Sequence, residues 1–363
     1  MFNRRTILAL TAAAPFSTRL PRLDMPDLRV DPIELADGAE VQMLGISPDA
    51  STLVGLQNRD QLCFYDVATL EQISITPITE EIKIIDQFSL QWNPGGTQIA
   101  FSLDGWRLGR DSDIFVVDVK TGEITNITAE DDGDAAPSLF DGGPFNIDIC
   151  PQWLDDETIV FARHHYDDAR DINPTFYIIG LDGGEPEIWA ETDSDKIVYV
   201  LSPSRVLDDG RVIFVGSSAS NVFQLYSIAE GEQPTLLDTG EPRAFFLVDA
   251  NERYGLIHDV RTFESLVIPI NDPEGATSIE EVFELDSDVQ RASDPSLGPH
   301  PDSFVIAVNN KNRTVLVKNG DVISEIAYLR GEDVGIQRIV WVPGTVLVCG
   351  KGATWLIHHE AVN

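Results

Sequence analysis

The chain has 363 residues, of which 60 are acidic and 25 are basic, so its formal net charge at pH 7 is -35. This charge repels phosphate backbones and anionic lipid surfaces, which argues against nucleic acid and anionic membranes as partners. Hydrophobic residues make up 43% of the chain, as in ordinary globular proteins, and no apolar run of about eighteen residues, the length of a membrane-spanning helix, follows the N-terminus.

The first residues have the layout of an export signal. Arg4 and Arg5 precede an apolar stretch at residues 7–14 that is too short to span a bilayer. The segment that begins with Arg4 also resembles a twin-arginine signal. We therefore expect residues 1–25 to be a twin-arginine-type signal peptide and the protein to act in the periplasm or outside the cell. The alternative is an uncleaved leader without ordered structure.

A repeated unit of short strands occupies the rest of the chain, and its second copy is the clearest. A strand at residues 88–92 leads into a tight turn at 93–96, where proline fixes one backbone angle and glycine permits a positive φ. Strands rich in β-forming residues follow at 98–103 and 113–119, and a fourth follows at 124–128. The unit is therefore predicted to be a four-stranded meander.

The same unit recurs seven times. Its second, apolar strand begins at Thr52, Gln98, Thr158, Arg211, Tyr254, Ser303 and Val346. These starts lie about 40 to 60 residues apart, close to the period of four-stranded propeller blades. The sequence therefore predicts a single all-β domain over residues 27–360, which is a seven-bladed β-propeller of antiparallel blades.

The last unit stops after its third strand, at residues 358–359, while the segment 27–35 precedes the first unit. We expect this N-terminal segment to supply the fourth strand of the last blade, because such closure removes an exposed sheet edge. Trp92, Trp153 and Trp341 share one position of the repeat, just before the turn. A row of tryptophans can mark ligand stacking, but the regular position favours packing between blades.

The amino-acid sequence of the repeat resembles that of a known family. SPDA at Ser47, WNPGG at Trp92 and DIFVVDVKTGEIT at Asp113 look like the repeats of TolB-type, WD-repeat-like propellers, and the likeness covers most of residues 40–360. It implies the fold and not an activity, because propellers host many functions. The separate N-terminal domain of TolB has no counterpart here, so we do not expect the TolB role.

The long loops of blades two and three are the predicted binding site. They lie at residues 104–112, 129–144 and 164–174, and in a four-stranded meander they emerge on one face. The candidate ligand-binding residues on them are Trp106, Arg107, Arg110, His164, His165, Tyr166, Asp168 and Arg170.

No cofactor is expected, with calcium or another divalent metal as the alternative. Asp131, Asp132 and Asp134 resemble half of a calcium loop, although the bidentate glutamate at the twelfth position is missing. His164 and His165 could share a metal only if both lie in a loop, because neighbours on a strand point to opposite faces. The three cysteines lack the CxxC spacing of a zinc site.

Motifs of hydrolases and phosphate-binding enzymes are absent: the chain has no GxSxG, HExxH or GxxxxGK[ST]. The first hypothesis is therefore an exported, monomeric, non-catalytic propeller that recognises a protein or small ligand through the long loops. The alternative is a lyase or hydrolase, dependent on a metal or on His and Arg, that acts on an anionic saccharide. A subunit of a larger exported complex is the third possibility.

Overall fold

The structure is a computed structural model. It describes residues 29–38, 40–57, 61–78, 89–102, 112–129, 145–166, 173–192, 197–218, 222–237, 245–259, 262, 264–272, 275–286, 289–309, 313–330, 335–350 and 353–359. Within these ranges almost all regular structure is β-strand, and no helix has the length and apolar character needed to cross a membrane.

The strands come in chain order, blade by blade. A short strand, β1 (Arg29–Val30), comes first. Blade one holds β2 (Val41–Ile46), β3 (Thr52–Gln57), β4 (Gln61–Asp66) and β5 (Gln72–Pro77). Blade two holds β6 (Gln91–Trp92), β7 (Gln98–Ser102), β8 (Ile114–Asp118) and β9 (Ile124–Asn126). Blade three holds β10 (Phe145–Trp153), β11 (Thr158–Tyr166), β12 (Asn173–Gly180) and β13 (Glu187–Glu191).

The remaining blades follow the same plan. Blade four holds β14 (Tyr199–Val206), β15 (Val212–Ser217), β16 (Phe223–Ile228) and β17 (Thr235–Leu236). Blade five holds β18 (Phe245–Ala250), β19 (Tyr254–Asp259), β20 (Ser265–Pro269), β21 (Thr277–Ser278) and the one-turn helix α1 (Ile279–Val282). Blade six holds β22 (Gln290–Arg291), β23 (Ser296–Leu297), β24 (Ser303–Asn309), β25 (Thr314–Asn319) and β26 (Val322–Leu329). Blade seven holds β27 (Ile336–Val342), β28 (Thr345–Gly350) and β29 (Ala353–Ile357).

The predicted seven-bladed propeller is confirmed. The described strands form seven sheets, and within each sheet the consecutive strands pair antiparallel. In blade six the first strand is broken into β22 and β23, which both pair with β24. The predicted turn of blade two is also present. The side-chain oxygen of Asn93 accepts the N–H groups of Thr97 and Gln98 at 2.8 and 2.9 Å, and Gly96 has a φ of 66°.

The hydrophobic core is divided among the contacts between neighbouring blades. In the described residues seven buried clusters occur, one at each junction, and the cluster around Met43 and Leu347 joins blade seven to blade one. One residue of each second strand, the second residue of β15 and the third residue of the others, packs on the following blade at every junction. These residues are Val54, Ala100, Val160, Ile213, Leu256, Val305 and Leu347. The second strands are apolar along most of their length because neighbouring blades cover them on both sides.

The N-terminal segment ties the last blades together in a way that the sequence predicts only in part. Its regular pairing is parallel, between β1 and β26 of blade six. The chain then reaches blade seven, where the N–H of Ile33 donates to the carbonyl of Thr354 at 2.8 Å. Ile33 and Leu35 pack on the cluster that joins blades seven and one. The segment thus occupies the outer position of the last blade through one backbone hydrogen bond rather than a regular strand ladder.

Candidate functional site

One residue of each first strand faces the centre of the ring, and we call these seven residues the channel ring. Each of them pairs with the residue of its blade's second strand that packs on the following blade. The members are Gly45, Gln91, Gln152, Arg205, Asp249, Ser296 and Val340. All of them except Gln152 line a cavity of about 440 Å³. The first strands of six blades contribute to this cavity, so it lies on the axis of the propeller, and we call it the axial cavity.

Bulges in the first strands direct these side chains. The pairing register shifts immediately before Gly45, Gln152, Arg205 and Asp249. Another shift lies directly before Arg338 in β27. A bulge adds an unpaired residue, bends the strand and re-aims the side chains that follow. These shifts direct charged side chains toward the axis of the propeller, although other side chains of the same strands pack between blades.

Arg205 and Asp249 form a pair in the wall of the axial cavity. The Arg205 Nε donates to Asp249 Oδ1 at 3.2 Å, while its Nη1 and Nη2 donate to the carbonyls of Ser204 and Val248. The carboxylate of Asp249 also accepts the N–H groups of Ala250 and Leu297. Every nitrogen of the Arg205 guanidinium therefore has an acceptor, and the pair compensates its own charges.

Arg338 is the second cation of the cavity wall, and its situation is different. Its Nη1 donates to the carbonyl of Leu44 at 2.9 Å, and Nε and Nη2 have no acceptor among the described residues. Burial, and then the nearby charge of Arg205, lower the pKa of Arg338 below its usual value. Buried charges are normally paired, because removing an ion from water is costly. An arginine without an ion-pair partner in a cavity wall is therefore a candidate for ligand binding.

The remainder of the wall is mostly apolar, with a few more polar groups. Trp92 and Trp341 both line the cavity, and the Nε2 of Gln91 is buried there without a hydrogen-bond partner in the described part of the chain. Asp294 reaches the cavity as well, where its carboxylate contacts the Nδ1 of His258 at 3.0 Å. Ligand pockets are typically apolar, hold a few polar groups and measure about 300–1,000 Å³. The axial cavity has these properties.

The thiol of Cys349 also lines the cavity but is not a reactive group. It is 2% exposed, and burial raises its pKa to about 12, against the lowering effect of Arg338. A thiol in that state is protonated at neutral pH, whereas nucleophilic and metal-binding cysteines require the thiolate. Cys63 and Cys150 are likewise buried, and neither forms a disulfide bond.

The tryptophans at the repeated position pack between blades, as predicted. Trp153 is 7% exposed, lies in the cluster between blades two and three, and donates its indole N–H to the carbonyl of Gln91 at 3.0 Å. Trp341 packs in the cluster between blades six and seven, and Trp92 packs against the cluster between blades one and two. Trp92 and Trp341 also reach the axial cavity.

Three of the predicted ligand-binding residues are described, and all three lie on β11. His164 is buried, whereas His165 is exposed and contacts Asn146 through its Nδ1 at 2.8 Å. Tyr166 is buried and stacks on Phe145. The interpretation of residues 164–166 as loop is therefore wrong, because the strand continues through them. The two histidines point to opposite sides of the strand and cannot share one metal ion.

The other predicted site residues lie outside the described residues. They are Trp106, Arg107, Arg110, Asp168 and Arg170 for the ligand, and Asp131, Asp132 and Asp134 for a metal. Among the residues that are described, no group of three or more His, Cys, Asp or Glu side chains is arranged to hold a metal ion.

The axial residues were not among the sequence-based candidates, although the sequence contains a signal for them. Arg205 and Asp249 occupy the repeat position of Gly45 and Gln91, inside first strands that otherwise carry no charged residue. A charged side chain on the innermost strand of a blade costs folding free energy unless a partner or a ligand compensates its charge. Arg338 lies at a different repeat position, so the alignment of the repeats alone would not have grouped it with Arg205.

Comparison with known proteins places the chain in the class of seven-bladed β-propellers. No family model matches the sequence, and no curated protein matches it. A solved oligogalacturonate lyase in complex with manganese is similar over 92% of this chain and 97% of its own, with a TM-score of 0.55 and 14% identity. A chain in the crystal structure of the mitotic checkpoint complex is similar over 99% of both chains, with a TM-score of 0.53 and 11% identity. At these identities the likeness shows the fold alone, because the same fold hosts unrelated functions.

Proposed function

We propose that this protein is a non-catalytic binding propeller that holds a small ligand, or a side chain of a protein partner, in its axial cavity. The observation that supports this function is Arg338, a partly buried cation in the wall of a mainly apolar, ligand-sized cavity, with two nitrogens that lack acceptors among the described residues. The unpartnered Nε2 of Gln91 adds a neutral donor to the same wall. Hydrogen-bond donors without acceptors in a cavity wall lower the stability of the protein. Such donors are expected where a bound ligand supplies the acceptors.

The long loops of blades two and three remain part of the proposal as a second contact region. Blade two contributes Gln91 and Trp92 to the axial cavity, and the predicted loop at residues 104–112 follows the second strand of this blade in the sequence. We propose that Trp106, Arg107 and Arg110 contact the part of the ligand or partner that extends beyond the cavity.

Gly45 offers a test that separates these two regions. A Cβ at Gly45 would lie 3.6 Å from Val54 Cγ1 and 3.7 Å from Trp92 Nε1, which are ordinary contacts. Gly45→Ala should therefore fold normally and leave the cavity open, whereas the ring of Gly45→Phe should enter the cavity. The experiment is a thermal-shift screen of small molecules against the wild type and both variants, since a ligand of the folded state raises the melting temperature.

The expected result is a set of compounds that stabilise the wild type and Gly45→Ala but not Gly45→Phe. Compounds that stabilise Gly45→Phe as strongly as the wild type would place binding outside the axial cavity, and that outcome would refute the proposal for this site.

The alternative function, a metal- or His/Arg-dependent lyase or hydrolase of an anionic saccharide, is favoured by one observation. The manganese-bound oligogalacturonate lyase is a fold neighbour over nearly the whole chain. Elemental analysis of the purified protein, with calorimetric melting before and after chelation, distinguishes the two functions. A stoichiometric metal whose removal lowers the melting temperature would support the enzyme, and a metal-free protein with an unchanged melt would support the binding propeller.

We also propose that the protein is exported and acts as a monomer. The support for export is the Arg4–Arg5 pair before a short apolar stretch. Replacement of both arginines by lysine should retain the protein in the cytoplasm, which cell fractionation measures. Equal export of the lysine variant would contradict a twin-arginine route.

A further inference from the structure

The charge balance of the axial cavity determines the sign of its ligand. Arg205 and Asp249 compensate each other, and all three nitrogens of Arg205 have acceptors. Arg338 has no acidic group within ion-pair distance among the described residues, although the whole chain carries a net charge of -35. A cation that remains unpaired in so acidic a protein favours an anionic ligand group at this point.

The geometry of the Arg338 guanidinium favours a carboxylate. Its Nη1 is held by the carbonyl of Leu44, so the edge formed by Nε and Nη2 is open. That edge binds a carboxylate side-on with two parallel hydrogen bonds. The protein contains an occupied example of the same arrangement: Nε and Nη2 of Arg163 each donate to a carboxylate oxygen of Asp148 at 2.7 Å.

The surroundings favour a single negative charge on an apolar body. Asp294 also lines the cavity, and its carboxylate would repel a second negative charge on the ligand. The indole rings of Trp92 and Trp341 belong to the same wall and offer apolar area for an aromatic or alicyclic body. The Nε2 of Gln91 provides a further donor for the same ligand.

We propose that the axial cavity binds an apolar monocarboxylate, whose carboxylate pairs side-on with Nε and Nη2 of Arg338. This inference rests on the proposed function, since it names the chemical class of the ligand that the cavity holds. It assigns Arg338 to binding, Trp92 and Trp341 to the body of the ligand, and the Arg205–Asp249 pair to the structure of the wall.

The test uses 2-naphthoate and its neutral isostere 2-naphthamide as probes, with isothermal titration calorimetry on the full chain. The wild type should bind the carboxylate about tenfold to hundredfold more tightly than the amide, because two charge-assisted hydrogen bonds are lost with the amide. Arg338→Met should reduce this preference to about twofold or less. Arg338→Lys keeps the charge without the fork and should give an intermediate preference.

Urea unfolding should show that Arg338→Met is at least as stable as the wild type, because the substitution removes a partly buried cation that has no ion-pair partner among the described residues. If Arg338→Met does not fold, Arg338→Lys provides the same comparison. An unchanged preference for the carboxylate in these variants would overturn the inference, as would equal affinities of the wild type for the two probes or no binding of 2-naphthoate at millimolar concentration. Gly45→Phe distinguishes a failure of the cavity function from a failure of the carboxylate assignment. If Gly45→Phe abolishes binding of both probes while Arg338→Met changes the affinity for neither probe, the cavity function stands and the carboxylate assignment fails.

Discussion

The closure of the ring can be tested with a matched pair of leucines. Leu347 and Leu256 occupy the same position of the repeat, and both are fully buried. Leu347 packs at the junction of blades seven and one, where the last blade meets the first, and Leu256 packs at the internal junction of blades five and six. Comparing their substitutions therefore compares the closing junction with an ordinary one.

Replacement of a fully buried leucine by alanine costs about 2.7–5.0 kcal/mol of unfolding free energy, from lost transfer energy and from the cavity left behind. Because the closing junction is packed like the internal one, Leu347→Ala and Leu256→Ala should each cost about 3–4 kcal/mol. Their costs should agree within about 1 kcal/mol, since the two sites have the same chemistry and the same exposure.

The assay is equilibrium urea unfolding followed by tryptophan fluorescence, with stabilities taken from the midpoint and the slope. The wild-type slope must be preserved, so that the change in midpoint reports stability. A cost below about 1 kcal/mol for Leu347→Ala, beside a full cost for Leu256→Ala, would show that the ends of the ring separate easily and would refute a closed ring.

Three further predictions concern the N-terminal segment, the thiol of Cys349 and the net charge of the chain. Ile33→Pro removes the N–H that donates to Thr354, and it should lower the unfolding free energy by about 1–3 kcal/mol in urea titration, while Ile33→Val should cost less than about 1.5 kcal/mol. Because burial raises the pKa of Cys349 to about 12, iodoacetamide at pH 9 should label it only after unfolding, as peptide mass spectrometry can show. The net charge of -35 repels anions at long range, so the association rate of 2-naphthoate in stopped-flow experiments should rise with salt.

Each of these predictions has an outcome that contradicts it. Equal stability of Ile33→Pro and the wild type would mean that the N-terminal segment does not hold the last blade. Labelling of folded Cys349 at pH 9 would contradict its burial. An association rate that falls as salt increases would indicate attractive steering, which a cavity inside an acidic protein should not produce.

Much of the fold could be predicted from the sequence because each blade repeats the same local rules. Apolar second strands and the turns before them recur at a regular period, and the turn at Asn93 is built by local hydrogen bonds. The path of the N-terminal segment was predicted less well. It depends on a parallel pairing between β1 and β26, which are separated by most of the chain and share no local pattern.

The candidate site could not be predicted to the same degree, for two physical reasons. The end of a strand depends on its pairing partners, which the local sequence does not reveal. The sequence pattern therefore predicts a loop at His164 and Tyr166, although both residues pair with residues of β10. The axial cavity is formed by residues from six blades that are far apart in the chain, and the bulges that direct Arg205 and Arg338 have no sequence signature of their own. Residues such as Arg107 and Asp131 remain predictions.

Binding of an anionic ligand at Arg338 in the axial cavity can be tested directly by locating such a ligand in a crystal structure. Crystals of the protein soaked with 6-bromo-2-naphthoate would show the bromine by its anomalous scattering and the carboxylate by its electron density. We expect a bromine peak inside the axial cavity, near Trp92 or Trp341, with the carboxylate within hydrogen-bonding distance of Nε and Nη2 of Arg338. An empty axial cavity beside an occupied site on the loops, or a bound carboxylate that points away from Arg338, would contradict it.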